Sequence, residues 1–348
     1  MKAAIQSLFN TLGYQVSKAG TVRALAERAQ AAEAALRHSA ARVAELEAGE
    51  AATKREALMR HLVQVSMIRY AVQGHRDGAV AVAADAVRPY YDATTAAPPY
   101  DVVFEVDYEV FRAFDDPSAT VLDIGANVGL AASSMRNAGC RAAIVSFEPN
   151  PWHQAALARL RDAWAGRFDY IPLGLGAARQ EIAFTTPVVE DVALDTLATA
   201  DLAGALDWGI PENVVLACMQ RFRDVERPRI RFCETVWTVD RLDDVLATAR
   251  LAVPLDRIVA IKIDVEGFEP QVLVGAADTL ARHRPLVMIE GANRQPEVAA
   301  CFAALGYRYA DYDSGTLRLT EVQSDRANGF FLPHDRLDQY RAKGVLAA

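Results

Sequence analysis

Five carboxylates fall where the chain pattern changes from strand to turn: Asp123 in VLDIGANVG, Glu148 in IVSFEPN, Asp264 and Glu266 in KIDVEGFE, and Glu290 in VMIEG. Acidic groups at such points can accept hydrogen bonds from ligand hydroxyls, take a proton from a reacting group, or gather a divalent cation with hard oxygen ligands. Between the first two lies Gly-Ala-Asn-Val-Gly. Gly125 and Gly129 permit a tight turn, and the helix-like stretch that follows directs unpaired backbone N–H groups at whatever sits there. Glu148 closes the next strand, 19 residues after Gly129. A carboxylate at that place can accept both hydroxyls of a ribose.

The turn discriminates between ligands. A dinucleotide pyrophosphate favours G-x-G-x-x-G, whose second glycine belongs at position 127, where Asn127 stands. Asp123 inside the turn would also repel phosphates. A cationic or zwitterionic nucleoside suits it better. S-adenosylmethionine is one, with an ammonium and a carboxylate that can meet an Asp and helix-end amides. Asp123, Gly125, Asn127, Gly129 and Glu148 are therefore the candidate cofactor contacts. Taken singly, Asp123 could be a turn-stabilising cap and Glu148 a solvated strand end; their pairing on consecutive strands favours the ligand reading.

The stretches DIGANVG, FEPNP, IKIDVEGFEPQVLVGA and MIEG resemble the FkbM family of S-adenosylmethionine-dependent methyltransferases. The resemblance covers roughly residues 101–333, and KIDVEGFE is a long motif outside the general nucleotide-binding pattern. It implies a Rossmann-like, seven-strand class I methyltransferase sheet. It also implies O-methylation of a hydroxyl on a sugar, a glycan or a secondary metabolite such as a polyketide.

Methyl transfer to a hydroxyl is an in-line displacement. It needs the acceptor oxygen aligned about 3 Å from the methyl carbon and relieved of its proton. Asp264 ends the strand RIVAIKI and is the first candidate for general base or acceptor orientation, with Glu266 beside it. Alternatively Asp264, Glu266 and Glu290 gather one Mg²⁺. Glu266 and Glu269 also suit the start of the next helix, where acidic groups are favoured. Leu173-Gly174-Leu175-Gly176 ends the third strand, where the adenine edge would lie, which makes Leu175 a candidate contact. Family members often carry Asn or Asp near here, so the polar adenine contact is unassigned. Lys262 either reaches an acidic partner or snorkels, and His153 and His283 read as surface or packing residues on helices.

These residues need elements to hold them. From about residue 101, short apolar runs alternate with amphipathic stretches, as in βαβ units. ATVLDI, AAIVSF, FDYIPL, RIVAIKI and PLVMIE read as strands. LAASSMRNAG, PWHQAALARLRDAW, RLDDVLATA, EPQVLVGAADTLARH and EVAACFAALG read as helices. YRYADY, TLRLTEV and NGFFLP supply closing strands. This is an open α/β sheet whose ligands are expected at the carboxyl ends of its strands. Residues 185–235 read as a long insertion over that end, capping the acceptor. Its Arg221, Arg223, Arg227, Arg229 and Arg231 either bind a phosphate-bearing acceptor, such as a nucleotide sugar, or form a solvated face.

Residues 1–100 form a helical N-terminal extension outside the resemblance, ahead of a methyltransferase-like unit over 101–348. Within it, Val22, Ala29, Leu36 and Val43, with Leu25, Ala32, Ser39 and Leu46, lay a heptad seam over residues 19–60. A homo-oligomeric coiled coil and a helix folded back on the chain are the two readings. Pro98-Pro99 marks the boundary.

Composition narrows the partners. A formal net charge of −8 argues against nonspecific binding to nucleic acid or an anionic membrane surface. No run of 18 apolar residues is present, so no transmembrane segment is expected. The first 18 residues lack the apolar core of a signal peptide, and Ile5, Leu8, Phe9 and Leu12 suit a short docking or surface helix. The four cysteines form no CxxC pair, which points to buried thiols in a reducing compartment and to the cytoplasm. Two other functions compete: a nicotinamide-dependent oxidoreductase, disfavoured by Asn127 and Asp123, and a non-catalytic assembly protein that keeps the fold.

Overall fold

The computed structural model describes residues 81–90, 98–200, 229–292, 295–321 and 327–347. The coiled-coil reading of residues 19–60, and Arg221, Arg223 and Arg227, lie outside them. In chain order the first elements are β1 (Ala81–Val82), β2 (Arg88–Pro89), β3 (Thr120–Ile124), α1 (Leu130–Asn137), β4 (Ala143–Phe147), α2 (Gln154–Ala163) and β5 (Phe168–Ile171). They are followed by β6 (Gly174–Leu175), β7 (Gln180–Val189), β8 (Val192–Ala193), β9 (Ile230–Asp240), α3 (Leu242–Thr248), β10 (Ile258–Ile263), α4 (Glu269–Gly275) and α5 (Ala277–His283). The chain finishes with β11 (Leu286–Glu290), α6 (Pro296–Ala304), β12 (Tyr307–Asp313), β13 (Arg318–Thr320), β14 (Asn328–Pro333) and α7 (Leu337–Ala342).

An unbroken apolar run suits a strand covered on both faces. All five residues of β3 and of β4 are buried. Their side chains alternate between two cores. Val121 packs with Ile144, Ala260, Leu286 and Met288 beneath α1, α2 and α7, whose Met135, Leu160 and Leu337 join them. Leu122 and Ile124 pack with Val145, Ile261, Ile263 and Val287 against Leu242 of α3, Val272 of α4, Leu280 of α5 and Phe302 of α6. Full burial contributes about 1.5–3 kcal/mol for each such large side chain.

The main sheet runs β13-β12-β14-β11-β10-β3-β4-β5. β11, β10, β3, β4 and β5 are parallel; β14 runs against them, and β12, antiparallel to β14, points the same way as the parallel set. Among the described residues the sheet has eight strands where seven were expected, because the short β13 pairs with the end of β12. Chain order reverses between β3 and β10, which opens a crevice at their carboxyl ends. Among the described residues no helix is long and apolar enough to cross a membrane. Cys140, Cys233 and Cys301 are free thiols, the first two buried.

The described ends of the segment read as a capping insertion join a second sheet, in the order β1-β9-β7-β8-β2 with β6 on β9, and its β1 and β2 come from the extension read as helical. β7 and β9 pair antiparallel from Gln180↔Val239 to Val189↔Ile230. β6 leaves the carboxyl end of β5 and pairs Gly174 with Val239, so this sheet starts at the crevice.

Candidate functional site

The β3–α1 turn is built from backbone that few side chains tolerate. Gly125 and Gly129 have φ of 76° and 88°, and a Cβ on Gly125 would overlap the Asp264 carbonyl oxygen. Asn127, at φ 51°, folds its side chain inward, so that Val128 N–H donates to its Oδ1 at 2.8 Å. Its own N–H donates to Glu148 Oε2 at 2.8 Å. Asn127 thus meets the site through its backbone.

Asp123 is not where the sequence reading put it. It is fully buried beneath the turn, accepting Ser146 Oγ at 2.9 Å. Ser146, Asp123 and Lys262 stand in one cross-strand row on β4, β3 and β10. The Lys262 ammonium is buried rather than snorkelling. It donates to Gly125 O at 2.7 Å and lies 3.4 Å from Asp123 Oδ1 and 3.2 Å from Asp264 Oδ2. Burial disfavours that cation, but the Asp264 and Asp123 charges outweigh it and raise its pKa. For Asp123, burial wins over Lys262 and pushes the carboxyl up.

Asp264, Glu266 and Glu290 offer oxygens within 4.8 Å of one another, and none is fully buried. Burial pushes the Asp264 carboxyl up, yet the Lys262 ammonium outweighs it and holds it below the usual carboxylate range. Glu266 is pushed up to about 8, by loss of surrounding water first and then by the Asp264 and Glu269 charges. Part of its side chain reaches solvent, which tempers the shift. Glu290 is raised as well, by Asp264 first and burial second. Glu266 holds φ 53°, a left-handed backbone seldom taken by such a residue. Glu269 serves the helix start instead: its Oε1 accepts Val265 N and Gly267 N, each at 3.2 Å.

Glu148 faces a cavity lined by Gly125, Asn127, Leu175, Asp264, Glu266 and Phe268, among others. Asp123, Gly129 and Glu290 do not line it. The second sheet adds a wall in which Phe184 and Trp237 stack at 4.3 Å between ring centroids. His153 is no surface residue: it is 2% exposed and also lines the cavity. Its Nε2 lies 3.1 Å from Asp195 Oδ2 and its Nδ1 lies 3.4 Å from Glu148 Oε1. Sequence reasoning missed His153, Asp195 and this aromatic wall. Asp195 carries no motif, and only the second sheet brings it to the ring. Lys262 had a signal, since it shares strand phase with Asp264. Arg229 is spent on Glu190 at 3.0 Å, and Arg231 bonds the Glu190 carbonyl.

A family model described as the methyltransferase FkbM domain matches residues 123–309. Over 185 residues the chain is 30% identical to the AMB antimetabolite synthetase AmbE of Pseudomonas aeruginosa, a match covering 49% of this chain and 8% of that protein. Among solved structures, it is similar to methyltransferase FkbM from Methylobacillus flagellatus KT, with 14% identity, a TM-score of 0.36, and coverage of 71% of this chain and 48% of that one. It is also similar to precorrin-6y C5,15-methyltransferase from Geobacter metallireducens GS-15, with 10% identity, a TM-score of 0.31, and coverage of 69% and 92%.

Proposed function

Since this chain belongs to the FkbM methyltransferase family, whose model matches more than half of it, we propose that it moves the methyl group of S-adenosylmethionine to a hydroxyl of a sugar, glycan or secondary metabolite. The observation that carries this is the sign of the charge at the crevice. Glu148, Asp264 and Glu266 line one cavity beside a glycine-cornered turn. Such a site favours a cation and repels a pyrophosphate. The strand order supports the class I methyltransferase sheet, with β13 as an addition to it.

The residues fit the cofactor, because the Gly125 backbone leaves no room for a side chain and brings the turn against Asp264. When bound, S-adenosylmethionine supplies an electrophilic methyl group on a positively charged sulfur. Glu148 accepts the ribose hydroxyls, and Leu175 packs against the adenine edge. Lys262 keeps Asp264 ionised, so Asp264 is a weak base and is better suited to orient the acceptor hydroxyl. Glu266, poised near working pH, takes the proton. Phe184 and Trp237 keep water from that side of the cavity.

The partial likeness to an antimetabolite synthetase favours a secondary-metabolite acceptor. The Asp264, Glu266 and Glu290 oxygens could also hold Mg²⁺, in which case EDTA abolishes turnover and Mg²⁺ restores it. Calorimetry of the full chain against S-adenosylmethionine and NAD tests the cofactor, with binding of the first alone expected. Incubation of glycan and metabolite extracts with isotopically labelled methyl donor then identifies the acceptor by product mass. NAD binding would replace the proposal with an oxidoreductase, and cofactor binding without product in any extract would favour an assembly role.

A further inference from the structure

His153 sits at the entrance to α2, its ring enclosed between carboxylates supplied by the two sheets. Asp195 follows β8 of the second sheet; its side chain is fully buried, and the residue lies in the wall of the same cavity as His153 and Glu148. One of its oxygens accepts Tyr90 N–H at 3.0 Å and the other faces His153 Nε2. Glu148 Oε1 accepts Asn150 N–H at 2.8 Å and faces Nδ1 of the same ring. Among the described residues, Glu148 and Asp195 are the charged groups facing the imidazole.

A neutral imidazole has one N–H and could serve only one of these carboxylates, leaving the other as a buried anion facing a lone pair. A cationic ring donates through Nε2 to Asp195 and sets its charge 3.4 Å from Glu148 at Nδ1, an atom with no other partner among the described residues. We propose that His153, anchored by Asp195, is a positioning residue that aims Glu148 into the cofactor cavity and ties the second sheet to cofactor binding. This rests on Glu148 holding the ribose. Burial works against the imidazolium, but Asp195 and Glu148 outweigh it and push its pKa up to about 9. The sign follows from that direction: the cation is present below about 9 and is lost as pH rises through it. Above that point Glu148 loses its counter-charge, and its grip on the ribose loosens.

The probe is methylthioadenosine, which carries the adenine and ribose but not the amino-acid amine, a group that titrates near pH 8 itself. Calorimetry on the full chain should give a constant dissociation constant between pH 7 and pH 8, and one weakened about fivefold or more by pH 10.5. His153→Gln should be about tenfold weaker at pH 7 and flat across the range, because a neutral amide cannot titrate. Asp195→Asn, nearly isosteric, should move the break to lower pH, since one carboxylate supporting the cation is gone. If His153→Gln loses its circular-dichroism signature, the Asp195→Asn profile decides. A flat wild-type profile, or a substituted chain with wild-type affinity and break, overturns the proposal. Unchanged affinity in Glu148→Ala would overturn it differently, by removing the ribose assignment. Failure of the wild type to bind either the probe or S-adenosylmethionine would remove the cofactor reading itself.

Discussion

Glu266 holds a left-handed backbone at φ 53°, and that conformation turns its carboxylate toward Asp264 and Glu290. Strain of this kind costs about 1–3 kcal/mol and persists where the surroundings over-determine it. Glu266→Gln should lower turnover by about 10²–10⁴ while cofactor affinity, measured by calorimetry, barely moves. Wild-type turnover should rise with pH through about 8, because a general base works only when deprotonated. The Gln variant should lack that limb of the profile. Glu148→Ala tests the other function, and loss of two hydrogen bonds to a charged acceptor should weaken S-adenosylmethionine binding tenfold or more. Glu148 stood out in the sequence because it closes an apolar run at a strand end, and Glu266 because it stands two residues past Asp264, which closes another. His153 did not stand out, and of Lys262 only the strand phase shared with Asp264 was legible. The pairings of His153 with Asp195 and of Lys262 with Asp123 depend on which elements become neighbours, and no local spacing specifies that.

At the scale of elements, the β3–α1 turn and the second sheet carry the site between them. Gly125→Ala would force a side chain into a positive φ and against the Asp264 carbonyl. Cofactor binding should be lost, and urea denaturation should show a cost of at least about 1–2 kcal/mol. Trp237→Ala removes the ring stacked on Phe184 and should cost about 3–5 kcal/mol by the same measurement, with weaker cofactor binding because the cavity loses a wall. Unchanged cofactor affinity in this variant would confine the second sheet to a structural part. The βαβ core was readable because its strands are continuous apolar runs. β7 and β9 fall mostly within or beside the segment read as an insertion and gave no strand signal, because QEIAFTTPVV and IRFCETVWTVD mix polar and apolar residues and are separated by a long stretch of chain. Their ladder forms only once both are placed against the crevice.

For the molecule as a whole, the doubly wound sheet and its reversal between β3 and β10 place every proposed catalytic group at one end. Residues 19–60 pose a separate question that mass measurement answers. If they self-associate, deleting residues 1–60 lowers the oligomeric state by light scattering while leaving cofactor affinity intact. An unchanged number of protomers per particle would remove the coiled coil. The shared ammonium has a consequence on a longer timescale. Lys262 faces both Asp123 and Asp264. Losing Asp123 first leaves the remaining anion and the cation paired, whereas losing Lys262 first leaves the Asp123 carboxyl buried without its cation, about 3–5 kcal/mol worse for a broken buried pair. Descent can therefore reach an uncharged version of this row through position 123 but not through position 262. Lineages that keep the lysine and vary the first aspartate should outnumber those that do the reverse.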